Sequence, residues 1–152
     1  MPKFLKELIK ENTVVFLETT EMQDTIIKMV EIAKQENFIK DKEKFRLAIL
    51  DRESLVSTGI GLGVAIPHAK LDDVDDFFII VGINKKGLDW DAIDRNPVGI
   101  VFLIGGPDKE GAQREYLKII AKLILLIKND IRRNFLINAS RKEQVVDIFK
   151  EF

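Results

Sequence analysis

Cysteine is absent from the 152 residues. With it go disulfides, thiolate nucleophiles and zinc–thiolate centres. Histidine occurs once, at His68, so no metal site built on paired histidines can form. Prolines are few: Pro2, Pro67, Pro97 and Pro107 are scattered, and no linker divides the chain. Charge of one sign is also missing. Twenty-four Lys and Arg face 25 Asp and Glu, a formal net charge of −1, which leaves no field to attract nucleic acid or an anionic membrane. Apolar runs such as Leu123 to Ile127 fall far short of a membrane span. Met1 to Asn12 alternates apolar and charged residues and lacks the apolar core and small-residue cleavage site of a signal peptide. Cytoplasmic residence is the default expectation, and a chain without cysteine fits a reducing compartment.

What is present belongs to a globular protein. Hydrophobic residues make up 46% and charged residues 32%, a balance that disordered chains do not have. One domain over residues 1–152 is expected, able to bury roughly two-thirds of its unfolded surface. Phe4, Leu5, Leu8 and Ile9 fit a short first helix, and Thr13 to Leu17 a short strand. Thr20-Glu21-Met22-Gln23 reads as a capping box opening a helix with Met22, Ile26, Met29, Val30 and Ala33 on one face. A second helix runs from Lys42 to about Arg52, burying Phe45, Ala48 and Ile49. Ser54 to Gly63 reads as a loop, and Asn84 to Gly87 as a turn. Phe77 to Ile83 and Val98 to Ile104 are continuous apolar runs suited to central strands covered on both faces. Glu110 to Lys128 is a long helix, apolar almost all round from Leu117 to Ile127. Ser140-Arg141-Lys142-Glu143 reads as a second capping box, opening a helix with Val145, Val146, Ile148 and Phe149 inward. The fold class expected is α/β, a mixed β-sheet with helices layered on it.

The chemistry narrows quickly. Asp72, Asp73, Asp75 and Asp76 lack the glycine and terminal glutamate of a calcium loop and read as a solvated acidic turn; no metal and no cofactor is expected. Gly59-Ile60-Gly61-Leu62-Gly63 fails the dinucleotide fingerprint, because Val64 stands where the third glycine belongs, and it lacks the Gly-Lys-Ser/Thr end of a P-loop. Its amides, with the hydroxyls of Ser57 and Thr58, are nonetheless candidate anion donors; a merely flexible loop is the alternative. His68 follows Pro67 at the end of an expected strand and just after these donors. A neutral imidazole in that setting is a candidate phosphoryl acceptor.

Arg52-Glu53, Ser57-Thr58-Gly59-Ile60-Gly61 and Gly63-Val64-Ala65-Ile66-Pro67-His68 closely resemble the active-site signature of mannitol/fructose-type IIA domains of the phosphoenolpyruvate-dependent sugar phosphotransferase system. The nearest resemblance is to the stand-alone nitrogen-regulatory branch. Gly87-Leu88-Asp89-Trp90-Asp91-Ala92, Asp94 and Pro97-Val98 continue it, so the likeness spans essentially the whole chain. It implies a mixed sheet with helices on both faces. It implies that His68 accepts a phosphoryl group from phospho-HPr or a nitrogen-branch carrier, and that Arg52 helps hold the phosphate. Ser57, Thr58, Gly59 and Gly61 are the phosphate-loop candidates. The onward partner implied is a IIB domain; the alternative is a regulatory module whose phosphorylation state controls docking to transporters, kinases or transcription factors. One departure stands out. The family usually carries a second histidine at the start of its long helix, where this chain has Tyr116, or Glu115 if the match slips by one; Tyr116 can donate a hydrogen bond but cannot serve as an imidazole acid or base near pH 7.

Overall fold

A computed structural model describes residues 4–55, 57–90, 92 and 94–152; Asp91 of the motif above lies outside them. Helices α1 (Leu5–Leu8), α2 (Met22–Gln35), α3 (Lys42–Leu55), α4 (Ala112–Ile127), α5 (Asp130–Asn138) and α6 (Lys142–Ile148) interleave with six strands. These are β1 (Val14–Phe16), β2 (Gly59–Gly61), β3 (Val64–Ala65), β4 (His68–Leu71), β5 (Phe78–Leu88) and β6 (Val98–Pro107). They form one mixed sheet in the order β1-β5-β6-β3-β2, with β4 also paired to β6. The β5–β6 and β2–β3 pairs are antiparallel and the rest parallel.

Alternation along the two central strands sorts the core into two layers. Ile79, Val81 and Ile83 of β5 with Ile100, Phe102 and Ile104 of β6 face α1, α4, α5 and α6. Phe78 and Ile80 of β5 with Val101 and Leu103 of β6 face α2 and α3. Both faces of the sheet are therefore covered, as continuous apolar strands require, and the expected α/β architecture with helices on both faces is the one observed.

Several local expectations need correction. Residues 84–87 do not form a turn. β5 runs through them to Leu88, and its register with β6 shifts between Ile83 and Leu88. Gly87, at φ +79°, takes up the irregularity, as a β-bulge glycine does. Buried Asn84 ties it down, donating to the Thr19 carbonyl at 2.6 Å and accepting from Lys86 N–H at 3.1 Å. The first capping box does not form either. The Asp89 N–H bonds the Thr20 carbonyl and Glu21 bridges to Asp89, which keeps the chain extended there, and α2 starts at Met22 without a side-chain cap. The second box slips by one residue: Gln144 accepts from the N–H groups of Ser140 and Arg141 at 2.9 and 3.1 Å. Helix α3 continues to Leu55, and Gly59–Gly61 is strand, so the expected loop shrinks from both ends. Helix α4 is not buried all round, because Leu117 and Leu125 face outward. The acidic turn is tied to the surface by Lys44, 3.2 Å from Asp72 and 3.4 Å from Asp73.

Candidate functional site

His68 opens β4 opposite Ile104 of β6. Pro67 has no N–H to give, so the chain breaks step between β3 and β4. The Ile66 N–H turns to the Thr58 carbonyl and the Pro67 carbonyl receives the Ile104 N–H, both at 3.0 Å. The Ile66 carbonyl lies 2.8 Å from Nδ1 of His68. A carbonyl can only accept, so Nδ1 carries the ring proton and Nε2 keeps its lone pair. The Nε–H of Arg52, on the last turn of α3, donates to that lone pair at 3.1 Å. One short segment thus fixes the tautomer, while the facing helix covers the other ring nitrogen.

The ring is half-buried. Burial holds its pKa below the usual 6.5; the Ile66 carbonyl opposes this, Arg52 pushes further down, Glu53 opposes and Lys70 adds to the fall. The imidazole is therefore neutral near pH 7. A cavity of about 350 Å³ opens beside it, lined by Ala48 and Arg52 from one helix layer, Lys70 from β4, and Gln113 and Tyr116 from the other layer. His68 sits where α3 and α4, belonging to opposite layers, approach the same edge of the sheet. Arg52 and Lys70 outnumber the one carboxylate lining the cavity, Asp108, so the site favours an anion.

Tyr116 lies at the expected place on α4. Its ring is tilted against the imidazole with centroids 4.9 Å apart, and Lys70 Nζ stands over the ring, 5.8 Å from its centre. The residue is only 4% exposed, and burial drives its pKa well above the phenol value of 10 against a small opposing effect of Arg52. It stays protonated at any physiological pH.

The glycine-rich candidates lie elsewhere. Ser57, Thr58, Gly59 and Gly61 do not line the cavity of His68. The N–H of Thr58 donates to Glu53 at 2.8 Å and its hydroxyl donates to the same carboxylate. The Gly59 N–H goes to Ser57 Oγ at 3.1 Å. These donors are taken up by the β2–β3 hairpin and its tie to α3. Glycine at 59 answers a steric need, since a Cβ there would stand 2.7 Å from Cβ of Ala92. Gly61 ends β2 at φ +90°, with the Asp94 carboxylate, which accepts from the Asn96 N–H at 3.0 Å, 3.5 Å from where a Cβ on Gly61 would stand. Among the described residues no cluster of three or more His, Cys, Asp or Glu side chains is placed to hold a metal, and no helix is long and apolar enough to cross a membrane.

Sequence reasoning missed Lys70, Glu53 as the anchor of Thr58, and the Ile66 carbonyl. Lys70 was within reach: two residues after His68 on one strand, it must share the histidine's face. Glu53 sat inside the quoted motif but carried no signal of its partner.

The chain matches the family model described as "Phosphoenolpyruvate-dependent sugar phosphotransferase system, EIIA 2" over residues 7–152. It is 33% identical over 148 residues to the fructose-specific EIIABC component of Bacillus subtilis (strain 168), covering 97% of this chain but only 23% of that relative. The solved nitrogen regulatory protein IIA-Ntr of Neisseria meningitidis superposes with a TM-score of 0.88 at 25% identity, covering 96% of this chain and 99% of that one. Enzyme IIAMTL of Escherichia coli, solved in complex with phosphorylated enzyme IIBMTL, shares the fold with a TM-score of 0.82 at 15% identity, covering 95% of this chain and 98% of that one. With its histidine, arginine and surrounding fold in the places described, this chain belongs to the EIIA 2 family of the phosphoenolpyruvate-dependent sugar phosphotransferase system.

Proposed function

We propose that the chain works in the cytoplasm, as one domain, as a phosphocarrier in which Nε2 of His68 accepts a phosphoryl group from the phosphohistidine of HPr or a nitrogen-branch counterpart. The observation that carries this reading is the pair of hydrogen bonds on one ring: Ile66 holds Nδ1–H at 2.8 Å and Arg52 marks the Nε2 lone pair at 3.1 Å. In the transfer, Nε2 attacks phosphorus and the N–P bond of the donor breaks. The donor imidazole leaves with the electron pair. The new positive charge on the His68 ring is shared with Nδ1–H, which the Ile66 carbonyl stabilises. Phosphoryl transfer needs positioning and charge stabilisation above all. Arg52 swings from nitrogen to phosphoryl oxygen, where its planar guanidinium suits the geometry.

Onward transfer goes to a IIB domain, by analogy with the Escherichia coli complex. A regulatory output is the second reading, favoured by the likeness to the nitrogen regulatory IIA-Ntr: the added charge at the edge of the sheet then alters docking to a target protein. Incubation with phosphoenolpyruvate, enzyme I and a carrier, followed by intact mass, tests the core claim. An acid-labile phosphate on the natural chain and none on His68→Ala supports it; full labelling of His68→Ala refutes it. Presenting the phospho-protein to a IIB domain then separates relay from regulation.

A further inference from the structure

Native proteins seldom leave a buried polar atom without a partner. Among the described residues two buried side-chain atoms have none: Nε1 of Trp90 and the hydroxyl of Tyr116. Trp90 packs against the β2–β3 hairpin, 3.1 Å from where a Cβ on Gly59 would stand, and no cation lies among the side chains around its cavity. Tyr116 is different. It lines the same cavity as His68, Arg52 and Lys70. Its ring lies against the imidazole, and Arg52 is close enough to act on it electrostatically. Lys70, whose ammonium donates to Gln113 on the same helix, stands over the ring and holds it.

We propose that the hydroxyl of Tyr116 is a phosphoryl-oxygen donor, left unpartnered in the resting protein and satisfied only when His68 is phosphorylated. This rests on the phosphocarrier reading and names a binding residue within it. A phosphoryl group offers three strong acceptor oxygens. A neutral phenol can donate to one of them without adding charge. It also keeps donating across the whole range in which a histidine at that place would gain and lose a proton. The groups facing His68 are Arg52 and Glu53 from α3, Lys70 from β4, Asp108 after β6 and Tyr116 from α4. None of the groups facing His68 is a second imidazole.

The test uses the intact protein, its Tyr116→Phe variant and its Tyr116→His variant. Each is phosphorylated by phosphoenolpyruvate, enzyme I and carrier, and separately by phosphoramidate, a small-molecule phosphoryl donor. Donors are then removed, and the decay of the acid-labile phosphate is followed by intact mass between pH 6 and 8. Thermal unfolding is recorded for unphosphorylated natural chain and Tyr116→Phe. Removing the hydroxyl is expected to leave the unphosphorylated melting point unchanged or higher, because an orphan donor is lost. The phosphate is expected to decay about tenfold faster, because a charge-assisted bond is lost. The ratio of decay rates between Tyr116→Phe and the natural chain is expected to stay constant with pH, and that for Tyr116→His to change through one ionisation. Equal decay of the natural chain and Tyr116→Phe overturns the proposal. So does a lower melting point of unphosphorylated Tyr116→Phe, which would mean that the hydroxyl already has a partner. Failure of the natural chain to label with either donor overturns the phosphocarrier reading itself, whereas labelling with unaltered Tyr116→Phe decay removes only the role of Tyr116.

Discussion

Two neighbouring regions carry hydrogen-bond donors, and they spend them in opposite ways. In the β2–β3 hairpin, Thr58 gives its N–H and its hydroxyl to Glu53, and Gly59 gives its N–H to Ser57. In the adjoining cleft, Arg52 donates to the Nε2 lone pair of His68, and the Tyr116 hydroxyl donates to nothing. Satisfied donors make the hairpin a frame that sets the end of α3 against the start of β4. Donors bound to an imidazole lone pair, or to no group at all, suit the cleft to the receiving role proposed for it. Glycine-rich sequence and hydroxyl content do not distinguish the two; the state of each donor does.

The contrast can be broken most sharply at His68. His68→Ala is expected to lose all phosphoryl uptake by intact mass while its unfolding midpoint in denaturant stays within the range of a surface change, since the ring is only half-buried. Next comes Arg52→Ala, for which uptake should slow about a hundredfold, the scale of removing one preorganised donor; rapid-quench kinetics with phosphorylated carrier would measure it. The hairpin should answer in stability instead. Gly59→Ala sets a Cβ 2.8 Å from Cα of Ala92, and overpacking of that kind is expected to cost about 2 kcal/mol by urea unfolding. Thr58→Val removes a hydroxyl from the Glu53 carboxylate and should cost about 1.5 kcal/mol, with phosphoryl uptake changed less than about twofold. A hundredfold loss of uptake in Thr58→Val with unchanged stability would erase the distinction between frame and receiver.

The smallest effect expected is on pH. The pKa of His68 is held below its ordinary value by burial first and by Arg52 besides. Between the two values the unfolded chain binds more protons than the folded one, so stability falls as pH drops through about 6.5 and below. Uptake should be flat above pH 6.5 and decline below it as a single ionisation. A second ionisation between pH 6 and 8 in the rate profile would point to another titrating group in the cleft.

Much of this was legible in the sequence. The runs at Phe77–Ile83 and Val98–Ile104 announced a sheet covered on both faces, and the stripe of Ile26, Met29, Val30 and Ala33 fixed the inward side of α2. Helix α5 was not foreseen, because it buries Leu136 while Ile131 and Phe135 face outward, so no apolar period marks it. The extension of β5 past Asn84 was hidden for a related reason: Lys85, Lys86 and Gly87 look like a turn, and only the pairing with β6 and the buried Asn84 hold them as strand. In the cleft, the motif pointed to His68 and Arg52 and the family resemblance to the place of Tyr116, and the structure brings the three to one cavity. The partner of Nδ1 could not be read, because the direction of the Ile66 carbonyl depends on how Pro67 interrupts the ladder.

The presence of a single histidine makes the central claim directly measurable. Ring nitrogens of protein labelled with ¹⁵N-histidine can be followed by long-range ¹H–¹⁵N NMR before and after phosphorylation. Nδ1 is expected to carry a proton in both states, with Nε2 changing from a bare to a phosphorus-bonded nitrogen. Phosphorus on Nδ1, or a resting ring protonated at Nε2, would contradict the assignment of acceptor and of the carbonyl that holds it.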